Sequence, residues 1–243
     1  MIHVVLGMHK SGTSLVAELL HHAGIAMVDE VDSQGGYDDG NKWERESTLE
    51  LNQEILGSAG AFSLDARGER RLCGAAERQR MRDIIAACST RHTDWGFKDP
   101  RTCLTYDLWA AELPAHRVIA VFRSPEEAWA HYWRAASLRR RLKTVRRYLP
   151  QWCAHNTAIL AALDRTPHPF LVLDYARLID DPSELARLER FVGRPLVDRR
   201  DPRMRRSRKA QTASYRAARA WHRLWRGQSS EEIAARLDAL RTA

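Results

Sequence analysis

Residues 4–20, VVLGMHKSGTSLVAELL, constrain the fold more tightly than any other stretch of the chain. The apolar run 2–6 reads as a strand buried on both faces, and Leu15, Val16, Leu19, Leu20 and Ala23 then recur at helical spacing. Between the two, Gly7 and Gly12 bracket four residues. That is the glycine spacing of a loop whose backbone N–H groups, with the N-terminus of the following helix, hold an anion. Strand, glycine loop and helix in this order predict an α/β domain that opens on a phosphate loop.

The position of the lysine separates two reaction classes. In an ATP-using loop it directly follows the second glycine, where its ammonium reaches the β- and γ-phosphates. Here that position is Thr13, followed by Ser14, and Lys10 stands two residues before Gly12. The run KSGTS, residues 10–14, resembles the 5′-phosphosulfate loop of the sulfotransferase family, [KR]-S-G-T-[ST], with Gly7 at the usual distance before it. The resemblance implies a P-loop nucleotide-hydrolase-like three-layer α/β sandwich, a central parallel sheet with helices on both faces. It also implies 3′-phosphoadenosine 5′-phosphosulfate (PAPS) as donor and 3′-phosphoadenosine 5′-phosphate (PAP) as product. His9, Lys10, Ser11, Gly12, Thr13 and Ser14 are the donor-binding candidates on this loop.

Two further segments carry the resemblance towards a catalytic set. Residues 42–56, KWERESTLELNQEIL, read as a helix and are similar to a bacterial sulfotransferase region of the form W-E…L-N-x-x-L-L, which makes Glu44 the candidate general base. The alternative is a carboxylate in the first turn of a helix, complementing its dipole, and Asp38, Asp39 and Glu46 stand close enough to substitute. Residues 95–101, WGFKDPR, read as a short strand ending in a turn. This segment resembles the K-D-P motif after the second core strand of carbohydrate and tyrosylprotein sulfotransferases, which implies that Lys98 approaches the sulfate from across Lys10. The bland reading makes Lys98 a solvated charge; Asp99 and Arg101 are read as scaffolding, a turn cap and its ion-pair partner.

The strand at 117–122 ends in Arg123-Ser124-Pro125, followed by a helical pattern with a basic tail over 139–147. This resembles the family's 3′-phosphate motif, arginine then a helix bearing a serine, and it makes Arg123 a donor-binding candidate. His131 occupies the serine's place, a departure that leaves Ser124, Arg134 and Arg139 as alternatives. Further helices are expected over 75–89, 104–113 and 151–163, and a strand over 170–174. Beyond it, YARLIDDP resembles the family's Y-E-x-L-x-x-D-P, with Asp181 capping a helix, Glu184 completing a capping-box-like pattern and Gly193 ending it. The resemblance covers residues 1–195.

Composition adds bounds rather than chemistry. A chain of 243 residues accommodates one domain, 1–243, with a basic segment over 198–212 and a C-terminal helix over 213–240 in which Trp221 and Trp225 are expected to pack. No run reaches membrane-spanning length, so a soluble, cytoplasmic protein is expected. The four cysteines show no C-x-x-C pair and read as reduced thiols; no metal site is expected. The net charge of +8 attracts any anion without choosing one. The expected activity is in-line sulfuryl transfer from PAPS to an acceptor hydroxyl, less readily an amine, the acceptor being a small molecule, a glycan or a lipid-linked sugar. An ATP-dependent P-loop kinase, a catalytically silent scaffold and a basic nucleic-acid-binding protein are the alternatives, though no nucleic-acid partner is expected.

Overall fold

The computed structural model describes residues 1–30, 43–57, 73–134, 138–201, 213–226 and 229–242. Four strands, β1 (Ile2–Leu6), β2 (Trp95–Lys98), β3 (His116–Phe122) and β4 (Phe170–Asp174), form one parallel sheet in the order β2-β1-β3-β4. The four strands fall where the apolar runs place them. From β1 the chain passes first to the neighbour on one side and then crosses to the other. This reversal puts a topological switch point at the carboxyl ends of β1 and β3, where open α/β sheets bind ligands.

The sheet is covered on both sides because alternate residues of each strand feed different cores. Val4, Leu6, Val118, Ala120, Phe122 and Val172 belong to one cluster, completed by α2 (Glu46–Ile55), α3 (Ala75–Arg91), α4 (Thr102–Ala110), α5 (Pro125–Arg134) and α6 (Leu138–Arg165). Val5, Ile119, Val121, Leu171 and Leu173 belong to the other, completed by α1 (Thr13–His22), α7 (Tyr175–Asp180) and α8 (Pro182–Val192). The result is the three-layer α/β sandwich that the parallel runs imply.

Several expectations are corrected. The helix expected over 42–56 begins at Glu46 with Arg45 as its N-cap, so Glu44 precedes it and is not a first-turn carboxylate. The basic run 139–147 is no tail. It is the first third of α6, which runs through Pro150 because Tyr148, Leu149, Trp152 and Cys153 are all buried along its length. Asp181 caps α8 through the N–H of Ser183 at 2.8 Å. Glu184 closes no capping box but turns inward, accepting from Arg187 at 2.9 Å and from Arg241 at 2.8 Å. Beyond residue 212 there are two helices, α9 (Ala213–Arg226) and α10 (Ser230–Thr242), and Trp221 is 60% exposed rather than packed. The side chain of Trp225 lies outside the described residues, as do residues 202–212 of the basic segment. No helix among the described residues is long and apolar enough to cross a membrane.

Candidate active site

The loop after β1 is shaped by what its glycines exclude. A Cβ on Gly7 would lie 2.6 Å from the carbonyl oxygen of Val121 on β3, so only a bare backbone fits between the strands there. Gly12 has a φ of 99° and faces Tyr175, whose Cε2 a Cβ would approach to 2.8 Å. Lys10 also takes a left-handed φ, 67°, a conformation uncommon outside glycine and a sign that the loop's path is imposed. Gly12 is the N-cap of α1 and has no side chain to offer its first turn. Ser11 Oγ is buried with no hydrogen-bond partner among the described residues. A buried orphan hydroxyl, a cradle that tolerates no Cβ and a helix start without a side-chain cap fit a bound phosphate or sulfate group.

β2 delivers the second contribution. Lys98 ends that strand with a side chain only 1% exposed, so the solvated-charge reading fails. Its Nζ donates to Glu44 Oε1 at 2.8 Å and to Ser14 Oγ at 3.3 Å. A base candidate from the segment before α2, the lysine of β2 and a hydroxyl of the phosphate loop thus form one hydrogen-bonded chain. Asp38 and Asp39, the substitutes for Glu44, lie outside the described residues, and Glu46 is exposed in the first turn of α2.

Asp99 and Arg101 support this arrangement from below. The two form a buried ion pair at 3.1 Å, and Asp99 also accepts from Asn52 Nδ2 at 2.9 Å. Burial nevertheless pushes the Asp99 carboxyl up to about 6, partly opposed by Arg101 and reinforced by Glu44. Asn52 is the hub: its amide also donates to Thr102, and its oxygen accepts from Thr105 Oγ1 at 2.7 Å and Trp109 Nε1 at 2.9 Å. Every hydrogen-bonding position of a buried amide is used, which fixes α2 against α4 and so the segment that carries Glu44.

β3 delivers the third contribution. The guanidinium of Arg123 donates to the carbonyl oxygen of Lys10 at 3.2 Å, lies 4.6 Å over the ring of Tyr175 and pairs with Glu127 at 3.5 Å. Trp152 of α6 donates to the Arg123 carbonyl at 3.1 Å, fixing the backbone as well. Ser124 caps α5, accepting from the N–H of Glu127 at 3.3 Å. His131, Arg134 and Arg139 stand on α5 and α6, but their side chains lie outside the described residues.

A family model described as "Sulfotransferase family" matches residues 4–198, which include the phosphate loop, the segment of Glu44, the end of β2 and the end of β3. The chain belongs to the sulfotransferase family. No curated protein matches it. Among solved structures it is similar to the sulfotransferase domain of the Synechococcus PCC 7002 olefin synthase, with 17% identity, a TM-score of 0.48, and 100% of this chain and 94% of that one covered. It is also similar to the sulfotransferase STF9 from Mycobacterium avium, with 14% identity, a TM-score of 0.41, and 93% and 68% covered. Likenesses this distant carry no further argument.

As a family member, the chain brings together most of the residues that its motifs single out. Ser11 to Ser14 line the loop, Lys98 meets Glu44 and Ser14, and Arg123 holds the loop from the other side. Lys10 is exposed, and its carbonyl is what Arg123 grips. His9 is partly buried. Desolvation, with Arg101, His155 and the two lysines nearby, holds its pKa well below 6.5, so it is neutral at pH 7 and adds no charge. Two residues carried no site role in the sequence. Tyr175, the first residue of the YARLIDDP motif directly after the carboxyl end of β4, closes over Gly12 and Arg123. His155 on α6 is buried beside Arg101 and held down to about 4, and nothing in its local sequence marks it. No group of three or more His, Cys, Asp or Glu side chains able to hold a metal is found among the described residues. Residues 31–42 and 58–72 lie outside them.

Proposed function

We propose that this sulfotransferase takes PAPS as its donor and passes the sulfuryl group in line to an acceptor hydroxyl, on a small molecule, a glycan or a lipid-linked sugar. The observation that carries the reading is the chain Ser14 Oγ, Lys98 Nζ, Glu44 Oε1, with contacts of 3.3 and 2.8 Å, at the mouth of a loop that fits an anion. PAPS bound there would supply an activated sulfuryl group, and PAP would be released. Ser11, Gly12, Thr13 and Ser14 would hold the 5′ side through backbone N–H groups and hydroxyls, with Lys10 adding positive charge where charge builds as the bond to sulfur breaks. Lys98 would lie against the sulfuryl oxygens, and Arg123, already fixed by Lys10 and Tyr175, would read the 3′-phosphate. His131 in the serine's place remains part of the proposal as a second donor to that phosphate.

Glu44 Oε1 would take the proton of the acceptor hydroxyl. Its pairing with Lys98 makes the step self-compensating: a proton on Glu44 neutralises the lysine's counter-ion and frees the ammonium for the sulfuryl oxygens as the acceptor oxygen loses its proton and the leaving phosphate oxygen gains charge. The cations are all side chains, so the reaction as drawn needs no metal ion, and full activity in EDTA is expected. Thr13, in the position where an ATP-using loop carries lysine, counts against phosphoryl transfer.

The test is calorimetric titration of PAP beside ADP on the wild type, Lys10→Ala and Arg123→Ala. Selective PAP binding is expected, with Arg123→Ala losing roughly 10- to 100-fold of PAP affinity, the worth of one charge-assisted hydrogen bond, and little affinity for ADP. Equal binding of PAP and ADP by the wild type would overturn the donor assignment.

A further inference from the structure

Helix α9 is basic, and part of its apolar surface is not spent on the core. Tyr215, Ala218 and His222 are buried, with Tyr215 set against Trp129 of α5 at 5.7 Å between ring centres. Around the same helix Ala217, Trp221 and Leu224 recur at i, i+4 and i+7 on a second stripe. Trp221 is 60% exposed and Leu224 is 82% exposed. Arg216 and Arg223 are exposed on the flank of that stripe, while Arg219 is turned to Glu231 at 2.5 Å. The helix has four arginines and no acidic residue, and residues 202–230 hold nine Lys or Arg with no Asp or Glu.

Charge decides among the surfaces that could cover an exposed Trp and Leu. A second copy meeting this face about a two-fold axis would set arginine against arginine. A nucleic acid would satisfy the arginines and leave Leu224 without an apolar partner. An anionic bilayer surface satisfies both: it is negative at the headgroups and apolar 5–10 Å below them, on the scale of interfacial helices in general. We propose that α9 is an interfacial helix that seats the protein on an anionic membrane, with Trp221 and Leu224 in the headgroup–acyl boundary and Arg216 and Arg223 at the level of the phosphates. None of these residues belongs to the candidate active site, so the proposal stands apart from the donor assignment.

The test is flotation of the full chain with vesicles of phosphatidylcholine alone or with about one-third phosphatidylglycerol, repeated in high salt and in saturating PAP. Binding to the anionic vesicles only is expected, weakened by salt and unchanged by PAP. Leu224→Asp and the double variant Arg216→Glu/Arg223→Glu should each lower the partition at least about tenfold, with circular dichroism melts like the wild type. No binding by the wild type, or binding that PAP abolishes, would overturn the proposal. So would partition that the arginine variant destroys and Leu224→Asp leaves intact, the mark of a polyanion site. A dimer in solution that Leu224→Asp dissociates would assign the face to a second copy instead.

Discussion

Replacing Glu44 with glutamine separates what the Lys98 pair does for stability from what it does for chemistry. Lys98 is 1% exposed and Glu44 10%, with 2.8 Å between Nζ and Oε1. At an effective dielectric constant near 20 that contact is worth roughly 6 kcal/mol of gross Coulomb energy, offset in part by the desolvation of both ions. Glutamine keeps an acceptor oxygen for Lys98 and removes the negative charge 2.8 Å from its buried ammonium. The expected loss is about 3–5 kcal/mol, or roughly 10 °C in Tm for a chain of this size. An anion bound beside Lys98 would then replace the missing carboxylate. PAPS affinity, measured by calorimetry without acceptor, should therefore rise about fivefold, the effect of about 1 kcal/mol, while turnover with an acceptor falls 10²- to 10⁴-fold. Weaker or unchanged PAPS binding would refute the placement of Lys98 against the sulfuryl group. Turnover within threefold of the wild type would remove Glu44 as the base.

Two further outcomes follow from buried polar groups. Asn52→Leu keeps the volume but strips partners from Asp99, Thr102, Thr105 and Trp109, so urea unfolding should show a loss of about 3 kcal/mol or more; a change under 1 kcal/mol would mean the hub is dispensable. His3 and His155 are both held down from 6.5 to about 4, chiefly by burial. Their stabilising contribution is therefore complete above pH 6.5 and is lost as pH falls towards 4, worth about 3 kcal/mol for each at the limit. Asp99, raised from 3.8 to about 6, works in the opposite sense, favouring the fold as pH falls through that window. Two histidines outweigh one carboxylate, so stability should drop between pH 7 and pH 4.5. His155→Gln should shrink that drop by about 2 kcal/mol, and an unchanged drop would contradict the buried neutral histidine.

The four strands, the phosphate loop and the helix behind it were legible in the sequence, because each rests on a local property: an unbroken apolar run, a glycine spacing, a 3.6-residue period. So was membership of the sulfotransferase family, since KSGTS, Lys98 and Arg123 all stand at strand ends, the positions that a parallel sheet turns towards a ligand. The pairings were not legible. Lys98 and Glu44 are 54 residues apart, and Arg123 and the Lys10 carbonyl 113 apart; only the order β2-β1-β3-β4 brings them to one edge. Burial was equally out of reach where the local pattern misled. Pro150 reads as a helix boundary until α6 packs through it, Glu184 as a cap until Arg187 and Arg241 neutralise it, and Trp221 as core until α9 buries Tyr215, Ala218 and His222 instead. The sequence determined which elements form and which ends face the ligand, because those follow from the chain's own periodicity. Which charge meets which, and which face of a helix is left to solvent, was decided by the tertiary structure, because burial and Coulomb contact depend on neighbours supplied by distant parts of the chain.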